Sequence, residues 1–297
     1  MSSIAIFPCT FTPGEEIVGE LSQNLELEIY KDLDLINEVM GQCDINCERL
    51  KNYMYGKTSV FNQFTLEREK VVNLFKAALA ERLDDSRQYL FYGFLTSLIP
   101  ARVTHVLKVL IVDTKQNRID FAVNQGLSKR DAKKAVKAND VSAYSWTDFL
   151  FQKEAYDSSL YDMVIPVENK GRAALIETIT KSFHTTSVLQ DTASRQAIAD
   201  LRLETTAQGR LLDAGHKMTV RAEDGNLTLI VDNNVLNYGK LVQELTELVS
   251  PIPGVKNVTV ERSAKYRESI YRRQRFELPS KVLFVDDEKD FVQTVSQ

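Results

Sequence analysis

The residues whose types and spacing could do chemistry lie in a short segment near the start of the chain. Ile4–Phe7 is an apolar, strand-like run, Pro8–Gly14 is rich in turn-forming residues, and apolar residues from Ile17 onward recur at helical spacing. A strand, a loop and a helix in this order can present backbone N–H groups to a phosphate. The sequence therefore indicates a phosphate-binding loop, with candidate residues Thr10, Phe11, Thr12 and Gly14.

The composition of this loop opposes that chemistry. Gly14 is its only glycine, and Pro8 and Pro13 have no N–H group to offer a phosphate. Glu15 and Glu16 stand where a cation would help. The segment therefore combines the architecture of a nucleotide site with residues that disfavour phosphate.

The elements that must position this loop form an alternating series over the first part of the chain. Val106–Val112 is the most pronounced strand, and Tyr89–Gly93 and Met163–Val167 are two more. Helical patterns lie between them, including one that Ser128 opens as a capping residue. Strands that alternate with helices predict an α/β domain over residues 1–185, with a mainly parallel sheet and flanking helices.

The second part of the chain has a different pattern. Polar residues 184–193 predict a linker, and a helix over 193–206 follows. Two alternating strands meet at Asp224-Gly225, a strong hairpin signal, and a helix over Tyr238–Val249 leads to a strand over Val255–Val260. Residues 193–262 are therefore predicted to form a small α+β domain.

The last segments are predicted to be a connector and the start of another domain. Residues 263–280 are basic and helix-favouring, and we interpret them as a helical connector, with binding to nucleic acid or anionic lipid as the alternative. Residues 281–297 contain an apolar strand, Val282–Val285, followed by acidic residues. We interpret this segment as the first piece of a further domain.

Composition limits the class of protein. The chain has 297 residues, 43% of them hydrophobic and 26% charged, with a net charge of −4. These values are typical of a globular protein and give no general argument for nucleic-acid binding. No apolar run approaches the roughly 20 residues that span a bilayer, and three cysteines are too few for a disulfide framework. The sequence predicts a cytoplasmic protein without a membrane interaction.

Several landmarks in residues 1–185 resemble those of one enzyme family. Gly14, Glu16 and Ile17 match its phosphate-loop window, and the strands Leu107–Ile111 and Tyr161–Ile165 match two of its strands. In these features the chain is similar to the cytidylate-kinase-like family of P-loop phosphotransferases. The resemblance implies a P-loop kinase fold and a nucleotide ligand. It also implies that the lid and cleft contain Arg118, Asp140 and Tyr144.

The departures from this family all remove cations. Phe94 and Ala143 stand where the resemblance implies arginines, and the loop after the first strand has lost its own. An arginine that stabilises the transition state of phosphoryl transfer is worth roughly 10³ or more in rate. We therefore predict a catalytically degenerate domain with no catalytic residue. The alternative is an active nucleotide or nucleoside kinase, in which Lys57, Lys108, Arg118 or Arg130 supplies the missing charge.

Two further resemblances suggest a cellular role. The hairpin at Asp224-Gly225 and the Pro253-Gly254-Val255 turn resemble a BON domain, and Lys281–Glu288 resembles the first strand of a response-regulator receiver domain. In a complete receiver, Asp286 and Asp287 would bind Mg²⁺. Together, the two resemblances predict a signalling protein of response-regulator type. Its kinase-like and BON-like domains are expected to sense a ligand or to dock a sensor kinase or another protein. A homodimer is a further alternative. A nucleotide is the candidate cofactor, and Mg²⁺ is expected only with a complete receiver.

Overall fold

The computed structural model describes residues 2–57, 62–167, 171–185, 188–232, 235 and 237–263, without the side chains of residues 63 and 64. The predicted connector, apart from its first residue, lies outside the described residues. So does the receiver-like segment 281–297, with Asp286 and Asp287.

The first unit is built on a parallel sheet. Its strands, which lie in the order β2-β3-β1-β4-β5, are β1 (Ser3–Phe7), β2 (Glu28–Lys31), β3 (Tyr89–Tyr92), β4 (Val106–Val112) and β5 (Met163–Pro166). The inner strands β1, β3 and β4 are almost entirely buried, which explains their continuous apolar sequences. The predicted α/β fold with a parallel sheet is confirmed.

Helices cover both faces of this sheet. They are α1 (Gly14–Leu25), α2 (Asp32–Met40), α3 (Cys47–Tyr55), α4 (Asn62–Thr65), α5 (Glu67–Leu83), α6 (Lys115–Asn124), α7 (Lys129–Phe151) and α8 (Arg172–Phe183). Alternate residues of β1 point to opposite faces of the sheet. Ile4 and Ile6 pack with α1 and α8, whereas Ala5 and Phe7 belong to the core formed with α2, α3, α5 and α7. The carboxyl ends of β1, β2 and β3 therefore meet at one edge, where α1 and α2 begin.

The second unit is a three-stranded sheet with two helices. After α9 (Thr192–Asp213) come β6 (Thr219–Glu223), β7 (Asn226–Val231), α10 (Tyr238–Val249) and β8 (Asn257–Arg262). Strand β7 pairs with β6 in antiparallel and with β8 in parallel orientation. Asp224 and Gly225 join β6 to β7 with φ values of 46° and 80°, the left-handed pair that a tight hairpin turn requires. The predicted hairpin is confirmed.

Helix α9 is longer than predicted and belongs to both units. Ala197, Ile198 and Leu201 lie in the core of the parallel sheet, whereas Ala207 and Leu211 pack under the second sheet. The predicted domain boundary at residue 193 therefore falls at the start of a helix that the two cores share. Among the described residues, no helix combines the length and the apolar character needed to cross a membrane.

Candidate functional site

The loop between β1 and α1 is held by its own contacts. The Thr12 hydroxyl donates a hydrogen bond to the Cys9 carbonyl over 2.7 Å. Phe11 has a φ of 59°, and its ring packs between α6 and α7 against an apolar cluster that includes Ile119 and Val136. Phe11 therefore anchors the loop to these two helices.

Arg118 is the guanidinium that reaches this loop, and it is already paired. Its side chain is 3% exposed, and its Nε donates to the carbonyl oxygen of Thr10 over 2.8 Å. Its Nη2 lies 2.8 Å from Oδ1 of Asp140, and the Tyr156 hydroxyl donates to the same oxygen over 3.1 Å. Burial disfavours the charge of Arg118, but the adjacent carboxylate of Asp140 raises its pKa overall. The structure thus brings the predicted residues Arg118 and Asp140 together, as an ion pair in which each compensates the charge of the other.

A cavity of about 420 Å³ opens beside the loop, at the carboxyl ends of β1, β2 and β3. Its walls come from the loop, α1, β2, α2, α3, the β3 end and α7: Pro8, Thr10, Glu15, Lys31, Asp32, Leu33, Tyr55, Tyr92, Gly93, Phe94, Asn139 and Ser142. Of the predicted loop residues, Thr10 lines it. Gly14 is buried beside it, and a Cβ built on Gly14 would lie 3.6 Å from the Tyr92 hydroxyl.

A buried carboxylate organises the floor of this cavity. Asp32 accepts hydrogen bonds from the backbone N–H groups of Phe94 and Leu95, at 2.9 and 2.8 Å, and from the Tyr55 hydroxyl at 2.8 Å. Burial raises the pKa of Asp32 to about 6, although these three donors oppose the shift. Gly93 has a φ of 137°, and a Cβ there would overlap the Asp32 carboxylate, so the position requires glycine.

Phe94 and Ala143, the two residues at positions where the resemblance implied arginines, are both buried in apolar surroundings. Phe94 is 2% exposed and stacks on Phe7 with 5.2 Å between ring centroids. Its carbonyl accepts a hydrogen bond from Nε1 of Trp146 over 2.9 Å. Ala143 is fully buried in the same core. Both residues contribute to apolar packing, so a cation could occupy neither position without repacking.

The electrostatic character of the cavity is more acidic than basic. Among the described residues of the wall, Glu15 and Asp32 face one lysine, Lys31, whose Nζ lies 5.8 Å from the centre of the Tyr92 ring. Burial, with the charges of Glu15 and Asp32, raises the pKa of Tyr92 and keeps it neutral. Within the described ranges, no group of three or more carboxylate, histidine or cysteine side chains is placed to bind a metal ion.

Other residues named from the sequence lie away from the cavity. Tyr144 is 49% exposed on α7, and Lys57 and Arg130 are exposed. Lys108 lines a different cavity. Sequence reasoning missed Lys31, Asp32 and Tyr55. For the first two a signal existed, because they stand at the carboxyl end of a strand in a parallel sheet, where ligands commonly bind.

The sequence of residues 4–169 matches the model of one protein family, described as the cytidylate kinase-like family. This match spans more than half of the chain and includes the loop, the cavity and α7. The chain belongs to the cytidylate kinase-like family. Within it, this member carries an acidic cavity and a paired arginine beside the loop between β1 and α1. No curated protein matches the sequence significantly.

Several solved structures are similar to this cytidylate kinase-like protein over about three fifths of the chain. An uncharacterized protein from Eubacterium ventriosum is 14% identical, with 61% of this chain and 97% of that one covered and a TM-score of 0.49. A shikimate kinase from Bacteroides thetaiotaomicron is 8% identical, with coverages of 62% and 99% and a TM-score of 0.37. A dephospho-CoA kinase from Campylobacter jejuni is 13% identical, with coverages of 61% and 99% and a TM-score of 0.32. The family assignment rests on the sequence match.

Proposed function

We propose that this protein is a cytoplasmic signalling or regulatory protein in which the kinase-like unit binds a ligand, or docks a partner, without transferring phosphate. The observation that carries the proposal is the state of Arg118. This guanidinium contacts the phosphate loop, but the carboxylate of Asp140 already binds it at 2.8 Å.

Phosphoryl transfer depends on cations that neutralise the transferred group. A polyphosphate in this cavity would meet the carboxylates of Glu15 and Asp32, with Lys31 as the opposing charge. Like charges at close range cost several kcal/mol when they are partly desolvated, on the order of 4 kcal/mol at 4 Å near a protein surface. This excess of negative over positive charge in the cavity supports a site that no longer binds a triphosphate as phosphate donor.

The remaining features of the cavity suit a smaller polar ligand with an aromatic part. Tyr55, Tyr92 and Phe94 offer aromatic surface, and the cavity volume of about 420 Å³ is in the range of small-molecule sites. Thr10 Oγ1 and Asn139 Oδ1, on residues of its wall, are buried without a hydrogen-bond partner among the described residues. A nucleoside or nucleoside monophosphate is the ligand class that fits best.

The second unit supports an interaction role. Its α9-β6-β7-α10-β8 order places a hairpin and a parallel third strand over two helices, an arrangement compatible with the proposed BON-like module. In the proposed protein, this unit and the kinase-like unit act as sensing or docking modules of a response-regulator type chain. A sensor kinase or another docking protein is the proposed partner.

An active kinase is the second candidate, and one observation favours it. Lys31 lines the cavity next to the loop, and its ammonium group is a cation that could approach a phosphate. If Lys31 replaces the absent arginines, ATP binding should depend on it.

The test is a titration of the whole chain with ATP, CMP and dCMP, with and without Mg²⁺, read by thermal shift and by heat. We expect a monophosphate to stabilise the protein by about 2.7 kcal/mol at a hundredfold excess over Kd, and ATP to have no effect. Lys31→Met and the exposed control Lys57→Met are titrated in parallel. Binding of ATP that Lys31→Met abolishes and Lys57→Met preserves, together with phosphoryl transfer, would refute the proposal. Silence with every nucleotide would leave docking as the role of this unit.

A further inference from the structure

A second cavity of about 290 Å³ lies between the parallel sheet and the second unit. Ala5 of β1 contributes to its wall, and residues 96–101, the end of α7, α5 and α9 enclose it, with Val220 of β6 at one side. It shares no lining residue with the cavity beside the phosphate loop. The walls combine apolar side chains, such as Leu98 and Leu201, with two lysines.

The first lysine projects from the sheet itself. Lys108 lies in the centre of β4, in register with Ala5, and its Nζ donates to the carbonyl oxygen of Ile99 over 2.5 Å. Burial lowers the pKa of Lys108 to about 8, and Asp162 offsets only part of this effect. Because its hydrogen-bond acceptor is a neutral carbonyl, the charge of this ammonium group is only partly compensated.

The second lysine faces the cavity from α5. Lys76 is half-buried and makes no hydrogen bond or direct ion pair with the described residues. Burial lowers its pKa, and the charge of Glu204 offsets only part of this effect. Glu204 of α9 is the acid of the same wall. Its two oxygens are used elsewhere, by the Ala222 N–H at 2.8 Å and by Nη2 of Arg102 at 2.7 Å.

We propose that this cavity binds a small organic anion, with the negative group between Lys76 and Lys108 and an apolar body against Leu98 and Leu201. Two ammonium groups that no carboxylate contacts directly are costly in an enclosed, partly apolar space, and an anion between them would reduce that cost. The volume is near the lower limit of small-molecule sites, about 300 Å³. Because α5 and β4 supply the lysines while α9 and β6 close the space, the anion would bridge the two units.

The anionic group can be a carboxylate or a phosphate monoester, and the test separates them. The full-length protein is titrated calorimetrically with benzoate, with phenyl phosphate and with the neutral benzyl alcohol. The variants are Lys76→Met and Lys108→Met, which keep the length of the side chain and remove its charge, and the exposed Lys134→Met is the control.

We expect at least one of the two anions to bind and the alcohol not to bind. Each cavity variant should weaken binding by about tenfold or more, and Lys134→Met should leave it unchanged. Lys76→Met should also raise the melting temperature, because it removes a partly desolvated charge that no carboxylate contacts directly. A lysine with a purely structural role would lower the melting temperature on removal. The proposal is overturned if neither anion binds up to about 10 mM, if the alcohol binds equally well, or if both cavity variants retain wild-type affinity.

Discussion

Protonation of Asp32 should stabilise the fold, which makes the stability of this protein depend on pH in an unusual direction. The pKa of Asp32 is raised from 3.8 to about 6. The folded state therefore binds this proton more tightly than the unfolded state. The contribution is fully present below pH 3.8 and is lost as the pH rises through about 6. At about 1.36 kcal/mol per tenfold change in proton affinity, the effect is about 3 kcal/mol.

The perturbation is Asp32→Asn, which keeps the side-chain shape and cannot ionise. Between about pH 4 and 6.5, the free energy of unfolding of the wild-type protein should fall by about 2 kcal/mol relative to the variant, which is most of the full effect. Carboxylates whose pKa is lowered, such as Asp85 and Glu67, destabilise both proteins in acid and cancel in the difference. The exposed Asp148→Asn variant is the control and should run parallel to the wild type.

The assay is urea denaturation followed by tryptophan fluorescence. Trp146 is the single tryptophan, is fully buried, and donates to the carbonyl of Phe94, whose own N–H binds Asp32. The signal therefore reports on the structure around the carboxylate. A difference that stays flat or grows with pH would refute the reasoning. It would mean that the Phe94, Leu95 and Tyr55 donors stabilise the anion at least as much as burial destabilises it.

Further predictions concern the core, the loop, the hairpin and α1. Phe94→Arg should lower the free energy of unfolding by about 3–5 kcal/mol, because it removes buried aromatic packing and introduces a charge, and a urea titration without this loss would show the position to be open. Asp140→Asn should release Arg118 and increase the affinity for inorganic triphosphate by about tenfold in calorimetry; unchanged affinity would contradict the pairing argument. Gly225→Ala should cost about 2 kcal/mol or more, since its φ is 80° and a Cβ would lie 2.7 Å from the Gly254 carbonyl, whereas Gly19→Ala in α1 should gain about 0.5–1 kcal/mol by thermal denaturation.

Local patterns in the sequence were sufficient to predict most elements of the fold. Helices α8 and α10 begin and end where their apolar periodicity predicts, and Ser128 caps α7 by accepting a hydrogen bond from the Asp131 N–H. The exception is α9, predicted to end at Thr206. Thr205 and Thr206 are poor helix formers, but the burial of Leu211 and Leu212 under the second sheet extends the helix to Asp213.

The site was less predictable because it depends on contacts between distant residues. Asp32 is bound by N–H groups 62 and 63 positions further along the chain, which become neighbours only when β2 and β3 pair. Arg118 and Asp140 were both identified from the family pattern. Their direct ion pair depends on how α6 packs against α7, which no local pattern encodes.

The shared helix α9 has a consequence for how this architecture can be divided. Its first half completes the hydrophobic core of the kinase-like unit, and its second half completes that of the small sheet. A cut in the polar segment before Thr192 would strip Ile198 and Leu201 from the first core and expose the surface they cover. The two units therefore cannot be exchanged independently of each other. A recombination event or a deletion that affects either unit must preserve α9, because the hydrophobic cores of both units depend on this helix.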